Sequence, residues 1–292
     1  MVAMAATILG VDLGGTKSSI SRYDAESRAL QVHERLPTNA SRGWAAVLED
    51  IVALIERNRQ PDTIGVGIGV PGLVRQPEGS VVRMPNIPGA DDIPLRRILT
   101  ERLKLPVEVD NDANCFALAE ALHGAGKDER VVIGITMGTG VGGGIVIGGK
   151  LFHGGRGFAG EVGHMLLVPG QPPYDTEDQR GDVEQFLSGT AFSKRCVAAK
   201  RPQDYLEGQV CSFLQPHVFR EVAWLCSSLT HAFDPNVIVF GGSAGKALRP
   251  HLPKVEEELK RWLLPGTPLP RLASEQTDHA ATLGAALLTT GI

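Results

Sequence analysis

The chain has 292 residues, a length that allows two domains with a hydrophobic core each. Its composition, 42% hydrophobic and 21% charged, is ordinary for a globular protein, and its net charge of −4 argues against a broad electrostatic surface for nucleic acid. No run reaches the ~18 apolar residues of a membrane span. Residues 1–6 also lack the basic segment of a signal peptide, so we expect a cytoplasmic protein without a membrane partner.

The first half of the chain is predicted to alternate strands with helices. Apolar runs and helical spacing predict strands at 7–11, 18–23, 64–70 and 107–110, and helices over 44–55, 94–103 and 113–123. A glycine turn, Asp12-Leu-Gly-Gly-Thr-Lys17, separates the first two strands.

A similar plan restarts in the second half. The predicted elements are a strand at 131–137, a glycine turn at 138–144, a return strand at 145–147, an ordered Pro-rich loop at 165–182, a helix at 216–233, a strand at 236–240, a turn at 241–242 and helices at 250–263 and 278–289. Strands that alternate with helices predict a mainly parallel α/β sheet, to which the glycine hairpins add antiparallel strands.

The four cysteines, Cys115, Cys196, Cys211 and Cys226, have no metal-type spacing. A chain of this size without a secretion signal is not expected to carry a disulfide framework. We therefore interpret them as buried thiols or bystanders.

Asn111 and Asp112 stand where the strand at 107–110 meets the following helix. A carboxylate at such a junction is firmly held, as a general base in an α/β protein has to be. Asp is also a common helix-capping residue, so the position alone is ambiguous.

Two glycine turns, Asp12–Lys17 and Thr136–Gly140, each lie between apolar strands. Glycine lets backbone N–H groups close on an anion, and the Thr hydroxyls add donors. Neither turn matches the P-loop pattern, and one such turn alone would favour an ordinary β-hairpin. Two turns, one opening each half, favour a phosphate cleft between two domains, with Asp12 placed to hold Mg²⁺ through water.

Two further segments carry candidate ligands. Gly160-Glu-Val-Gly-His164 places an acid and an imidazole three residues apart, and Glu184 follows the Pro-rich loop. Either this is a satisfied polar pair in a loop, or these side chains hold sugar hydroxyls. Gly241-Gly-Ser-Ala-Gly245, after a strand, would let a flat ring or a phosphate approach, although the motif alone is weak.

In this order the motifs resemble the ROK (repressor, ORF, kinase) family of sugar kinases, within the actin-like, ribonuclease H-like ATPase superfamily. The resemblance spans almost the whole chain, through the two glycine turns, Gly69-Val-Pro-Gly72, Pro85-Asn-Ile-Pro-Gly89, Asn111-Asp-Ala-Asn114, Ala159-Gly-Glu-Val-Gly-His164, Gly241-Gly242 and Leu283-Gly-Ala-Ala286. It implies an α/β fold of two ribonuclease H-like domains with a cleft between them.

The resemblance also implies residue roles. Asp112 is expected to be the catalytic base that takes the proton of the sugar hydroxyl. The expected sugar-binding residues are Gly72, Asn86, Asn111, Asp112, Glu161, His164 and Glu184. The expected ATP- and phosphate-binding residues are Asp12, Gly14, Gly15, Thr16, Lys17, Thr136, Gly138, Thr139, Gly140, Gly241, Gly242 and Ser243. Asn111 is interpreted as a sugar ligand rather than as part of the helix cap.

The family architecture implies a smaller domain of residues 1–112 plus 279–292 and a larger domain of residues 113–278. It also implies a homodimer formed through the larger domain. Repressor members carry an N-terminal helix-turn-helix, for which the residues before Thr7 leave no room, so we expect no nucleic-acid partner.

One departure concerns a zinc site. Many members follow the Gly-His pair with three cysteines that bind structural zinc together with that His. Aligned on Gly181 and Glu184, this chain has carboxylates at those positions: Asp175, Glu177 and Asp182. Closed structural zinc sites are built mostly from Cys and His, so we predict no structural zinc, with a carboxylate-bound hard cation as the less favoured alternative.

The resemblance implies a kinase that uses Mg²⁺ and ATP to phosphorylate the 6-hydroxyl of a hexose, glucose first. The alternatives are an N-acetylglucosamine or N-acetylmannosamine kinase, a glucokinase that uses polyphosphate, and a non-catalytic sugar sensor. The intact Asp112 and both intact glycine turns count against the sensor.

Overall fold

The computed structural model describes residues 6–206 and 210–290, so the predictions made for residues 1–5 and 291–292 lie outside the described residues. The strands are β1 Thr7–Leu13, β2 Lys17–Asp24, β3 Leu30–Pro37, β4 Thr63–Val70, β5 Leu73–Arg75, β6 Ser80–Arg83, β7 Asp91–Ile93, β8 Val107–Asn111, β9 Val131–Met137, β10 Val141–Ile147, β11 Lys150–Leu151, β12 Val237–Gly241 and β13 Arg271–Ser274. The α-helices are α1 Trp44–Asn58, α2 Leu95–Leu103, α3 Asp112–His123, α4 Val183–Leu187, α5 Gly189–Arg195, α6 Pro202–Leu206, α7 Gln215–Phe233, α8 Gly242–Ala247, α9 Leu252–Leu259 and α10 Ala280–Leu287.

The chain forms two compact units. The first contains residues 1–119, 150–159 and 278–292, and the second contains residues 120–149 and 160–277. Helix α3 is shared, since its first eight residues belong to the first unit and its last four to the second. Each unit has its own cluster of buried apolar side chains.

The first unit is built on a mixed sheet in the order β3-β2-β1-β4-β8. Strands β1, β2 and β3 pair antiparallel, whereas β4 is parallel to both β1 and β8. Helix α10 lies against β1 and β4. A Cβ at Gly67 would lie 1.6 Å from the Ala285 carbonyl oxygen, so glycine is required for this close approach.

In the second unit β10, β9, β12 and β13 are neighbours in that order. Strand β10 is antiparallel to β9, and β12 is parallel to both β9 and β13. Strand β12 is buried along its whole length, as a central parallel strand should be. Its Ile238 and Phe240 belong to the core of this unit together with Val222 and Leu225 of α7.

Some predicted boundaries differ from the structure. The second glycine turn spans only 138–140, because Val141–Gly144 pairs with β9 as the start of β10. The helix predicted at 250–263 is shorter: α9 ends at Leu259, and the N–H of Trp262 then bonds the Leu259 carbonyl in a tighter turn. The helix predicted at 278–289 is α10 followed by a 3₁₀ turn, Leu288–Thr290.

The interpretation of all four cysteines as unpaired is wrong. Cys196 and Cys211 form a disulfide with a Cα–Cα distance of 6.2 Å. The spacing of the cysteines did not predict this pair, because Cys196 follows α5, Cys211 precedes the 3₁₀ turn Ser212–Leu214, and only tertiary structure brings the two thiols together. Cys115 and Cys226 are free and buried, as expected.

Among the described residues, no helix combines the length and the apolar character needed to cross a membrane.

Candidate active site

The junction between β8 and α3 is held by a buried carboxylate, Asp110. This side chain is 3% exposed and accepts hydrogen bonds from the Asn111 N–H (2.7 Å), the Asn114 Nδ2 (2.8 Å) and the His153 ring (Nε2 to Oδ2, 2.6 Å). The hydrogen bond that His153 donates to Asp110 raises the pKa of His153, although burial opposes the shift. Asp110 therefore fixes the backbone immediately before Asp112.

Asn111 and Asp112 lie at the first turn of α3, both half-buried. The Asn111 Oδ1 accepts from the N–H groups of Ala113 (2.8 Å) and Asn114 (3.2 Å), so Asn111 caps the helix and the expectation that it does not is wrong. Its Nδ2 donates to the Gly72 carbonyl at 3.0 Å. Asp112 Oδ1 accepts from the Ala113 N–H at 2.8 Å. The structure thus brings Gly72, Asn111 and Asp112 together.

The first glycine turn is a hairpin connection between β1 and β2. The Gly14 N–H donates to the Lys17 carbonyl at 3.0 Å. Thr38 makes two further hydrogen bonds to the turn. The Thr38 N–H donates to the Thr16 carbonyl (2.9 Å) and its hydroxyl to the Gly14 carbonyl (2.6 Å). A Cβ at Gly15 would lie 2.9 Å from the Cβ of Asn86, so this predicted sugar ligand lies against the turn.

Asp12 stands near the end of β1, one residue before the strand ends. Burial raises the pKa of its carboxyl to about 6, and the charge of Arg35 opposes the shift. A nearby cation would offset the cost of ionising this buried carboxyl group. Mg²⁺ commonly takes one or two protein carboxylates and completes its shell with water, so the donor set fits a water-mediated Mg²⁺ site.

Glu161, His164 and Glu184 lie together in the second unit. Glu161 immediately precedes the 3₁₀ turn Val162–His164, and its carbonyl accepts from the His164 N–H at 3.1 Å. Burial raises the pKa of Glu161; the His164 charge lowers it and the Glu184 charge raises it. The charges of His164 and Glu184 both act on Glu161, so the structure brings these three predicted sugar ligands near one another.

The second glycine turn is held by residues of α4 and α5. The Glu184 Oε2 accepts from the Val141 N–H at 2.9 Å, and a Cβ at Gly140 would lie 2.4 Å from that oxygen. The Gly189 N–H donates to the Gly138 carbonyl (2.7 Å), and the Thr190 hydroxyl donates to the Thr139 carbonyl (2.8 Å). Glu184 therefore contacts the turn directly.

Gly241 and Gly242 lie beside the strand that leads into this turn. Gly241, the last residue of β12, pairs in parallel with Thr136 of β9. Two predicted nucleotide-binding segments therefore begin at the same end of neighbouring strands. The Gly242 N–H donates to Glu275 Oε2 at 3.0 Å, and Lys246 Nζ lies 2.7 Å from Glu275 Oε1. Ser243 follows on the exposed side of α8.

Four residues in these arrangements were not predicted from the sequence: Thr38, Asp110, His153 and Glu275. Thr38 and Glu275 bond predicted site residues that are distant in sequence. Asp110 instead bonds the adjacent Asn111 and is itself bonded by His153, 43 positions later. The only signal available was the type of residue, because nothing in the spacing pairs these positions.

Comparisons with known proteins identify the family of the chain. The model of the ROK family matches residues 8–292. Glucokinase from Halalkalibacterium halodurans is 31% identical over 308 residues, covering 94% of this chain and 90% of that protein. N-acetyl-D-glucosamine kinase from Pectobacterium atrosepticum is 33% identical over 307 residues, covering 96% and 97%.

The solved structure of a ROK family glucokinase from Streptomyces griseus in complex with glucose and AMPPNP is 30% identical, with a TM-score of 0.77, and covers 97% of this chain and 99% of that one. The predicted two-domain, actin-like α/β fold is therefore confirmed. With a family match over nearly its whole length, the chain belongs to the ROK family.

Proposed function

We propose that this protein transfers the γ-phosphoryl group of ATP to the 6-hydroxyl of glucose. The observation that carries the proposal is Asp112, a half-buried carboxylate at the start of α3 whose Oδ1 accepts from the Ala113 N–H. Asn111 caps the same helix, and the buried Asp110 accepts from the Asn111 N–H. The similarity to glucokinases, one of them solved with glucose and AMPPNP, supports it.

Asp112 acts as the general base. It takes the proton of the 6-hydroxyl as that oxygen forms a bond to the γ-phosphorus, and the bond from the γ-phosphorus to the bridging oxygen breaks to release ADP. Asn111, Asn86 and the Gly72 backbone bind sugar hydroxyls from the first unit. Phosphoryl transfer asks the protein mainly for positioning and charge stabilisation, which the hydrogen bonds at this junction provide.

In the second unit Glu161, His164 and Glu184 bind the remaining sugar hydroxyls. The glycine turns Gly14–Lys17 and Thr136–Gly140 hold the phosphates, and Gly241–Ser243 contribute to the adenosine site. Asp12 would hold Mg²⁺ through water, and the ion, when bound, would supply charge neutralisation at the phosphates. A cytoplasmic homodimer stays a prediction from the family resemblance.

A second candidate substrate class is the N-acetylhexosamines, because the relative from Pectobacterium atrosepticum is an N-acetyl-D-glucosamine kinase. Sugar-dependent ADP release should be measured with glucose, mannose, N-acetylglucosamine, N-acetylmannosamine and fructose. We expect the highest kcat/KM with glucose. A higher kcat/KM for an N-acetylated sugar would assign the protein to the N-acetylhexosamine kinases. A separate comparison of ATP with polyphosphate as sole donor tests which phosphoryl donor the protein uses.

The Asp112→Asn variant tests the assignment of the base. We expect turnover to fall by at least about 100-fold because no group then accepts the proton, while glucose binding measured by calorimetry stays within about threefold. Asp128→Asn, at a position in the loop before β9, is the matched control and should leave both unchanged. A variant at 112 with wild-type turnover, or a wild-type protein that releases ADP with no hexose, would refute the proposal.

A further inference from the structure

The segment Met165–Asp182, here called the brace loop, lies between His164 and α4. Its two ends run side by side: the Leu167 and Val168 N–H groups both donate to the Gly181 carbonyl, at 2.9 and 3.0 Å, and the Val183 N–H donates to the Met165 carbonyl at 2.9 Å. Backbone hydrogen bonds therefore close the loop next to His164.

Asp182 is the buried centre of this closure. Its side chain is 1% exposed, and its Oδ1 accepts from the Gln185 N–H at 3.1 Å, which caps α4. Its Oδ2 lies 3.3 Å from the His164 Nδ1 and 3.3 Å from an Arg180 guanidinium nitrogen. The Gln185 Oε1 completes a capping box and accepts from the Gly181 N–H at 2.7 Å.

The family resemblance places zinc here, and the residues present do not fit it. Asp182 uses both oxygens for the contacts just described, and the other two carboxylates that replace thiolates, Asp175 and Glu177, are exposed. Within residues 6–206 and 210–290, no group of three His, Cys, Asp or Glu side chains could hold a metal ion. A guanidinium, itself a cation, already lies beside the carboxylate.

We propose that Asp182 is a positioning residue for His164, and that Arg180 supplies beside it the positive charge that a metal supplies in thiolate-bearing relatives. This inference rests on the proposed function, in which His164 and Glu184 bind the sugar. Since a carboxylate only accepts hydrogen bonds, its contact puts the proton of the neutral imidazole on Nδ1 and leaves the Nε2 lone pair to accept from a sugar hydroxyl.

The same carboxylate fixes the helix that carries Glu184. Asp182 caps α4, and Glu184 is the second residue of that helix. The buried Asp182 side chain thereby orients both proposed sugar ligands, His164 and Glu184. Loss of the Oδ2 contacts should release the His164 ring, whereas a side chain that keeps an acceptor for the Gln185 N–H should leave α4 in place.

The Asp182→Asn variant separates these effects, because its amide oxygen can still cap α4. We expect the KM for glucose to rise about tenfold, with the KM for ATP within about twofold. In a His164→Ala background the same substitution should change the glucose KM by less than about twofold, since the ring it positions is absent. The proposal would be overturned if Asp182→Asn raised the glucose KM by the same factor in the wild-type and the His164→Ala backgrounds.

The controls are Asp175→Asn and Glu177→Gln. If these carboxylates bound a cation, Asp175→Asn and Glu177→Gln would raise the glucose KM as Asp182→Asn does. Treating the wild-type protein with a chelator and then restoring only Mg²⁺ would also raise the glucose KM. We expect neither effect, and either one would overturn the proposal.

If Asp182→Asn does not fold, Arg180→Gln takes its place and should raise the glucose KM about threefold without changing the KM for ATP; an unchanged glucose KM would overturn the role of Arg180. Calorimetric binding of glucose to the same variants, a readout independent of turnover, distinguishes failure of this inference from failure of the proposed activity.

Discussion

Asp12, the residue proposed to hold Mg²⁺, lowers the stability of the folded chain when its carboxyl is ionised. Its carboxyl has a pKa of about 6 in the folded chain against an ordinary value of 3.8. The folded state therefore binds this proton more tightly than the unfolded state, so the ionised group destabilises the fold above about pH 6 and the penalty vanishes as the pH falls below the unfolded pKa.

Asp12→Asn should abolish most activity and still stabilise the protein. We expect a gain of about 1–3 kcal/mol in the free energy of unfolding at about pH 7.5, shrinking towards zero near pH 4. Urea unfolding at both pH values measures it. The control, Asp24→Asn, should instead destabilise, because the hydrogen bonds from Ser27 to Asp24 lower the pKa of that exposed carboxyl. A variant at 12 less stable than wild type at pH 7.5 would contradict this interpretation.

The Asp110–His153 pair has the opposite effect on stability, because it stabilises the folded chain while His153 is protonated. Because the pKa of His153 is raised, its contribution to stability is complete below the ordinary value of 6.5 and is lost as the pH rises through the folded value. His153→Gln should therefore lower the free energy of unfolding more at about pH 6 than at about pH 9, and lower kcat through the loosened β8–α3 junction. Equal losses of stability at both pH values would exclude the charged pair as the cause.

At the scale of elements, side-chain pattern predicted the long helices and buried strands well. Helix α1 and strand β4 follow their apolar spacing. Strand β3 was missed because its residues are exposed or half-buried and Glu34 interrupts the alternation of Leu30, Val32 and Leu36. The strands β5 and β7 have only three residues each. The start of β10 reads as turn because Gly142–Gly144 have no side chains to reveal a strand. The candidate ligands were found by residue type and order, whereas their supports required tertiary contacts.

Helix α10 depends on the absence of a side chain beneath it. Gly67→Ala would drive a methyl group into the Ala285 carbonyl, and we expect a loss of at least about 3 kcal/mol or a failure to fold. Gly155→Ala, in the same unit and with nothing within 4 Å of the added atom, should change stability by less than about 0.5 kcal/mol. Thermal melting of the two variants compares them directly, and similar melting temperatures would show that α10 shifts without cost.

At the scale of the whole molecule, each unit has its own hydrophobic core, and the proposed function predicts that glucose binds the folded chain. Ligand binding to the folded state alone should stabilise the protein by about 2.7 kcal/mol at a glucose concentration 100 times Kd. Melting curves with and without glucose test this, with a non-substrate pentose as control. Asp112→Asn should keep the shift, and a shift lost together with turnover would show that Asp112 is needed for binding as well as for chemistry.

The position of α10 also bears on how the protein is synthesised. On the ribosome, β1 and β4 emerge long before Ala280–Leu287, so the face that this helix covers stays open while the second unit is translated. Residues 120–149 and 160–277 are all available earlier, which lets the second unit complete its core first. The unit that carries Asp112 therefore reaches its native packing only after Ala280–Leu287 has been translated.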